Sequence, residues 1–189
     1  MKIILLRHGE PEFNLFARTN KKYPAAELAT IIHEYNTSAL KSSNLPSQQT
    51  LDIAQACTTI VCSDLKRSLD SARLLNRHKI SLIDPVFRET ELPYADWIYP
   101  KLSLRSWITI FRILWFFGYA NHAEHIRHSR LRVITATETL VKQAQQYGSV
   151  LLVGHGFMNY FIAKQLRSTG WHGPKNPGRN FWDYAIYQY

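Results

Sequence analysis

Short apolar runs alternate along the chain with longer segments in which apolar residues recur every three or four positions. Each short run ends in glycine, proline or polar residues, which is typical of strands buried on both faces of a sheet. These runs predict strands at 3–6, 59–62, 80–83 and 150–153. The longer segments predict helices at 25–35, 48–57, 65–77, 104–119, 122–147 and 157–167. Residues 181–189 alternate and are rich in aromatics, which predicts a closing edge strand.

Strands that alternate with helices predict an α/β fold, a three-layer α/β/α sandwich around a mostly parallel central sheet. Prolines, glycines and polar residues predict loops at 11–24, 36–46, 93–101 and 171–179. Asp64 is placed to cap the helix over 65–77. At 189 residues the chain is expected to form a single domain, 1–189, with residues 93–128 as a small cap.

The composition favours a folded globular chain, and the distribution of charge argues against a nucleic-acid-binding protein. Hydrophobic residues make up 46% of the chain and charged residues 20%, which argues against disorder. The formal net charge is +9, but the basic residues are scattered and accompany no recognised nucleic-acid-binding module. We therefore expect no nucleic-acid partner, and a small phosphorylated substrate would be attracted by the same positive field.

No membrane span or secretory signal is expected. The most apolar stretch, 107–117, is too short to span a bilayer and is split by Arg112. The run 3–6 is too short for the core of a signal peptide. Cys57 and Cys62 lack metal-ligand spacing and are expected to be reduced thiols. Together these features predict a cytoplasmic protein without stable membrane insertion.

Histidines and arginines follow three of the predicted strands. His8 and His155 each come directly after an apolar run and are each followed by glycine, and a third run leads to Arg67. Open α/β sheets bind ligands outside the carboxyl ends of their strands, so these side chains, with Arg7, should surround one crevice. Imidazole can attack phosphorus, and a guanidinium offers a planar fork to phosphate oxygens. Taken singly, the strand ends could be ordinary turns, Arg67 a solvated helix residue and His155 a structural histidine.

Three motifs resemble those of the histidine phosphatase superfamily, the phosphoglycerate mutase-like family. The run from Leu6 to Asn14 matches the family's first motif, Ser63 to Ala72 is similar to its second, and Val153 to Gly156 resembles its third. The chain departs from the pattern at Gly154, where the family often has serine. It also departs in the stretch 93–128, which matches no member of known substrate.

The resemblance implies a phosphoglycerate mutase-like fold and a role for each matching residue. His8 would be the nucleophile that becomes phosphohistidine. The phosphoryl group would be bound by Arg7, Asn14, Arg67 and His155. The family's proton donor lies in a pattern like Phe87-Arg88-Glu89, which makes Glu89 the general acid and then the base. Glu91 is the second candidate for that role.

The predicted activity is hydrolysis of a phosphomonoester by a metal-independent phosphatase of the histidine acid phosphatase type. No cofactor and no metal site are expected. One alternative is a phosphoglycerate-type phosphomutase, although the compact chain favours hydrolysis. Another is a phosphate-binding regulator that has lost catalysis.

Two further groups of residues have more than one interpretation. The aromatic helix 104–119 is expected to pack in the core or in a homodimer, and the alternative is an apolar wall for a lipid-like or aromatic substrate. His122, His125 and His128 recur every three residues, which on a helix gives one stripe. Without a glutamate or cysteine partner at ligand spacing, this stripe is interpreted as a polar surface rather than a metal site.

Overall fold

The computed structural model describes residues 1–13 and 21–189. The strands are β1 Lys2–Arg7, β2 Lys22–Tyr23, β3 Thr59–Cys62, β4 Ile80–Ile83, β5 Leu102–Ser103, β6 Ser149–Gly154 and β7 Tyr184–Gln188. The α-helices are α1 Leu28–Thr37, α2 Gln48–Ala56, α3 Lys66–Asn76, α4 Leu104–Phe116, α5 Ile126–Tyr147 and α6 Gly156–Ser168. Short 3-10 helices occur at Ala25–Glu27, Arg77–Lys79 and Pro85–Phe87.

The described residues form a five-stranded sheet in the order β4-β3-β6-β1-β7. The first four strands are parallel, and β7 runs antiparallel to β1. Strands β2 and β5 form a separate two-stranded ribbon. Both Leu6 on β1 and Cys62 on β3 are paired with Val153 on β6, so the three central strands end side by side. The predicted α/β fold with a mostly parallel central sheet is confirmed.

The two faces of the sheet carry separate hydrophobic cores. Ile3 and Leu5 of β1 pack on one face with residues of α5 and α6. Ile4 and Leu6 pack on the other face with residues of α2 and α3. Because successive strand side chains point to opposite faces, a strand covered on both faces needs a continuous apolar run. This is the physical reason for the uninterrupted run 3–6.

A third hydrophobic cluster lies around α4. The inward face of this helix carries four buried side chains: Leu104, Trp107, Phe111 and Trp115. The first three of these belong to the cluster together with Tyr23 and Leu28, and Trp107 donates from Nε1 to the Tyr23 carbonyl at 2.7 Å. The expected core packing therefore accounts for one face of the helix. Ile113, Phe116 and Phe117 are exposed, and a homodimer through this helix stays a prediction.

The helix predicted over 122–147 begins later than expected. His125 is the N-cap of α5, because its Nδ1 accepts from the N–H of Arg127 at 3.1 Å. His122 lies before the helix with a positive φ of 59° and pairs with Asp96. The three histidines therefore do not form one helical stripe, and that expectation is wrong. The helix predicted over 104–119 ends at Phe116, just before Gly118, whose φ is 97°.

The predicted cap of α3 is also wrong. Leu65 is the N-cap residue and makes no side-chain capping bond. The Asp64 carboxylate instead accepts from both Nε, at 2.7 Å, and Nη2 of Arg88. Across the described parts of the chain, none of the helices has the length and apolar content that crossing a membrane requires.

Candidate active site

His8 follows β1 at the centre of the sheet and has one accessible tautomer. Its backbone N–H donates to the Gly154 carbonyl at 3.1 Å, and the side chain is 1% exposed. Nδ1 lies 2.7 Å from the Gly9 carbonyl oxygen, which can only accept, so Nδ1 carries the proton. The other nitrogen, Nε2, accepts from Nε of Arg67 at 3.1 Å. The lone pair of Nε2 therefore faces a cation.

The surroundings of His8 keep its ring neutral. Burial lowers its pKa well below 6.5, and the charges of Arg67 and Arg7 lower it further. The hydrogen bond to Gly9 acts in the opposite direction but is a smaller effect than burial and Arg67. At neutral pH the ring is therefore uncharged with its proton on Nδ1, the form in which Nε2 can act as a nucleophile.

His155 meets His8 across the carboxyl ends of β1 and β6. It is the N-cap residue of α6, is fully buried, and its ring centroid lies 5.0 Å from that of His8. Its Nε2 is 2.6 Å from Oγ of Ser63, and its Nδ1 has no hydrogen-bond partner among the described residues. Burial lowers its pKa well below 6.5, with Arg67 as the next cause. Histidines separated by more than 140 positions thus face each other.

Arg67 is buried beside both histidines, so its interpretation as a solvated helix residue is wrong. It is the second residue of α3 and is 1% exposed. Nη1 donates to Oδ1 of Asn36 at 3.1 Å, and the guanidinium stacks 4.4 Å from the ring centroid of Tyr35. Burial lowers its pKa, opposed by the charges of Tyr35 and Glu89. Tyr35 and Asn36 were not anticipated, since nothing in their local sequence indicates this contact.

Arg7, the residue before His8, lies against a segment that precedes β7. Its Nη1 donates to the carbonyl of Arg179, and its guanidinium lies 4.5 Å from the ring centroid of Phe181. The Phe181 ring is also 5.7 Å from the His8 ring. The next residue, Trp182, has a positive φ of 65° and donates its N–H to the Arg7 carbonyl at 3.1 Å. This aromatic cover over the histidine was not anticipated from the sequence.

Glu89 is held at the amino end of α6, where His155 is the N-cap residue. Its Oε1 accepts from the N–H of Met158 at 2.9 Å, and its Oε2 from that of Phe157 at 3.1 Å. The first N–H groups of a helix lack partners within the helix and favour an anion. A Cβ built on Gly156 would lie 3.7 Å from Oε2 of Glu89 and 3.8 Å from Cζ of Arg7. The carboxylate and the guanidinium therefore converge beside this glycine.

Glu91, the second candidate for the proton donor, faces elsewhere. Its Oε2 accepts from the backbone N–H of Glu124 at 2.6 Å, just before α5 begins. Glu124 in turn pairs with Arg132 at 2.7 Å. Of the two carboxylates, Glu89 is the one that contacts the helix end that carries His155.

The glycine at position 154 makes room for an amide. A Cβ there would lie 2.2 Å from Oδ1 of Asn159, which is 2% exposed. Asn159 donates from Nδ2 to the Leu6 carbonyl at 3.0 Å and so ties α6 to β1. The serine that the resembling family often carries here would overlap this amide. The space that Gly154 leaves open is therefore filled by the side chain of Asn159.

The structure brings together most of the side chains that the sequence singled out: Arg7, His8, Arg67, Glu89 and His155. Asn14, the remaining predicted phosphate ligand, lies outside the described residues. Within 1–13 and 21–189, no group of three or more histidine, cysteine, aspartate or glutamate side chains could hold a metal ion. What the arrangement offers is two neutral imidazole rings, two guanidinium groups and a carboxylate.

Solved structures share this fold along most of the chain. The mycobacterial glucosyl-3-phosphoglycerate phosphatase in its native form aligns with a TM-score of 0.61 and 20% identity, over 98% of this chain and 88% of that one. The α-ribazole phosphatase of Shigella flexneri aligns with a TM-score of 0.57 and 18% identity, over 90% of this chain and 80% of that one. A putative α-ribazole-5′-P phosphatase from Escherichia coli aligns with a TM-score of 0.59 and 18% identity, over 88% of this chain and 79% of that one.

Each of these neighbours is named as a phosphatase. The expectation of a phosphoglycerate mutase-like fold is confirmed. No protein-family model matches the chain, and no curated protein sequence matches it. At identities of about one in five or lower, the likeness establishes the fold alone.

Proposed function

We propose that the protein is a metal-independent phosphatase that hydrolyses phosphomonoesters through a phosphohistidine on His8. The observation that carries the proposal is the state of that ring, with the proton on Nδ1 and the lone pair of Nε2 beside the Arg67 guanidinium. A neutral imidazole buried next to a cation suits a nucleophile whose target is a phosphate dianion. The phosphatase fold of the structural neighbours supports the same reaction class.

In the first step Nε2 of His8 attacks phosphorus on the side opposite the leaving oxygen. The N–P bond forms as the P–O bond to the leaving group breaks. A protonated Glu89 gives its proton to the leaving oxygen, so the alcohol departs neutral and the carboxylate becomes charged. The three N–H groups that donate to that carboxylate, from Thr90, Phe157 and Met158, are already in place to receive the charge.

In the second step water attacks the phosphohistidine. Glu89 takes a proton from the water, the O–P bond forms, and the N–P bond breaks to return His8 to its neutral form. Inorganic phosphate leaves, and Glu89 is again protonated for the next cycle. Because one carboxyl group acts first as acid and then as base, no metal-bound water is needed.

The guanidinium groups of Arg7 and Arg67 and the ring of His155 would stabilise the charge on the transferring phosphoryl group. In the structure Arg67 bonds directly to Nε2 of His8, and Arg7 bonds to the carbonyl of Arg179. A bound phosphate would replace both contacts, with its oxygens as the new acceptors. Asn14 is proposed as a further donor to the same oxygens.

The test is a panel of phosphomonoesters assayed with a metal chelator present, comparing the parent with His8→Ala. The exposed His172 provides the control His172→Ala, because its backbone bonds to Gln188 of β7, which pairs with Lys2 at the end of β1 opposite His8. We expect turnover that the chelator does not affect and that falls by about 10³-fold or more in His8→Ala only. Loss of activity with chelator, or full activity in His8→Ala, would overturn the proposal.

Two other outcomes would assign a different function. Incubation with 3-phosphoglycerate, followed for isomer formation against free phosphate, would reveal a mutase if isomerisation were faster than release. Binding of inorganic phosphate without turnover of any ester would indicate a regulator. The proposal predicts release of free phosphate in every productive case.

A further inference from the structure

Glu89 lies on a segment with no regular structure of its own. The 3-10 helix Pro85–Phe87 ends just before it, and residues 88–101 belong to no helix or strand. A proton donor must be held within a few tenths of an ångström of its working position. The contacts that fix this segment are therefore part of how the site works.

Arg112, from α4 of the third cluster, makes three hydrogen bonds to the residues directly after Glu89. Its Nη1 donates to Oγ1 of Thr90 at 3.1 Å and to the Glu91 carbonyl at 3.2 Å. Its Nη2 donates to the Thr90 carbonyl at 3.2 Å. Thr90 is 1% exposed and its two bonds to Arg112 are partly buried, whereas the bond to the Glu91 carbonyl is exposed.

The same guanidinium also packs against the residue that holds the carboxylate itself. Cζ of Arg112 lies 4.3 Å from the ring centroid of Phe157, and 5.0 Å from that of Trp115 on its own helix. The backbone N–H of Phe157 donates to Oε2 of Glu89. Burial lowers the pKa of Arg112, and the charge of Glu89 acts against that effect.

We propose that Arg112 is a positioning residue for Glu89. Through Arg112, helix α4, which lies in the stretch that departs from the family's pattern, would contribute to the proton-transfer step. The inference depends on the proposed function. Arg112 does not bond to the Glu89 carboxylate; it holds the backbone on one side of it and the Phe157 ring on the other. A planar fork with two flat faces can make these contacts together, whereas a lysine ammonium cannot.

The experiment compares two aryl phosphates that differ in how much they need a proton donor. Phenyl phosphate has a poor leaving group, and para-nitrophenyl phosphate has a good one that leaves readily as an anion. We expect Arg112→Lys to lower kcat/KM for phenyl phosphate at least about 10-fold more than for para-nitrophenyl phosphate, because general acid catalysis contributes about 10²- to 10⁴-fold where it is needed. Arg130→Lys, at an exposed position on α5, is the control and should change neither value.

Two further variants connect the effect to Glu89 and guard against misfolding. Thr90→Val removes one of the three bonds while keeping the shape of the side chain, and should give a smaller effect in the same direction. In Glu89→Gln, adding Arg112→Lys should no longer change the ratio between the two substrates, because there is no proton left to position. Circular dichroism checks that each variant is folded.

An equal loss on both substrates, in Arg112→Lys and in Thr90→Val, would overturn the inference while leaving the proposed function standing. A change in the substrate ratio that persists in the Glu89→Gln background would also overturn it. A parent with no turnover dependent on His8 would overturn the proposed function, and the inference with it.

Discussion

Adding one methyl group at Gly154 should destabilise the protein through a single neighbour, Asn159. The Cβ of Gly154→Ala would lie 2.2 Å from Oδ1 of Asn159 and 3.2 Å from its Cγ. Ordinary carbon contacts begin at 3.4 Å, so the amide must move by about 1.2 Å. Asn159 is buried and donates to the Leu6 carbonyl, and a shift of that size would break the bond.

The expected cost has two parts. A buried carbonyl left without its donor costs about 1–3 kcal/mol, and forcing an extra methyl group into a packed site costs about 1–3 kcal/mol. Gly154→Ala should therefore lower the free energy of unfolding by about 2–6 kcal/mol. In an Asn159→Ala background the donor is already absent and the space is open, so the same methyl group should cost less than about 1 kcal/mol.

The assay is urea unfolding of the parent, both single variants and the double variant, analysed as a double-mutant cycle. We expect a coupling energy of at least about 1 kcal/mol between the two positions. Gly156→Ala, two residues along the chain, is the control. Its Cβ would meet only ordinary contacts of 3.7 Å or more, and its effect should be close to zero. Additivity of the two substitutions within about 0.5 kcal/mol would refute the steric reasoning.

Other predictions concern pH, proton donation and thiol reactivity. Because the folded pKa values of His8 and His155 lie well below the 6.5 of an unfolded chain, the unfolded state binds more protons below pH 6.5. As the pH falls below 6.5, the free energy of unfolding should therefore fall by about 1.4 kcal/mol per pH unit for each histidine. Urea titrations of His8→Asn should show a weaker dependence of this free energy on pH, and an unchanged dependence contradicts the prediction. Glu89→Gln should lower kcat on phenyl phosphate by about 10²- to 10⁴-fold and Glu91→Gln should not, and the reverse result would exchange their roles. Burial raises the pKa of Cys62 to about 12, so a thiol reagent at pH 8 should label it only after denaturant is added, and labelling of the native protein refutes this.

The central sheet could be predicted because its signals are local. The runs 3–6 and 150–153 need apolar residues at every position only because both faces of the sheet are covered. Glycine directly after a histidine marks the turn at each strand end. Parallel strands then bring residues 8 and 155 to the same edge, although most of the chain separates them.

The parts that the sequence did not reveal depend on contacts between distant residues. Asp64 has the right type and position for a helix cap, but its carboxylate bonds to Arg88, 24 residues away. Arg112 interrupts an apolar helix and looks like an exception in the sequence, yet it bonds to the segment that carries Glu89. In both cases the partner is defined by the folded chain and not by local spacing.

The most direct measurement is rapid quenching of the enzyme during turnover of a radiolabelled phosphomonoester, followed by mapping of the labelled residue. We predict a phosphoenzyme that is stable to base and labile to acid, with the label on His8, and no label in His8→Ala. Label on any other side chain, or turnover by His8→Ala at the parent's rate, would contradict it.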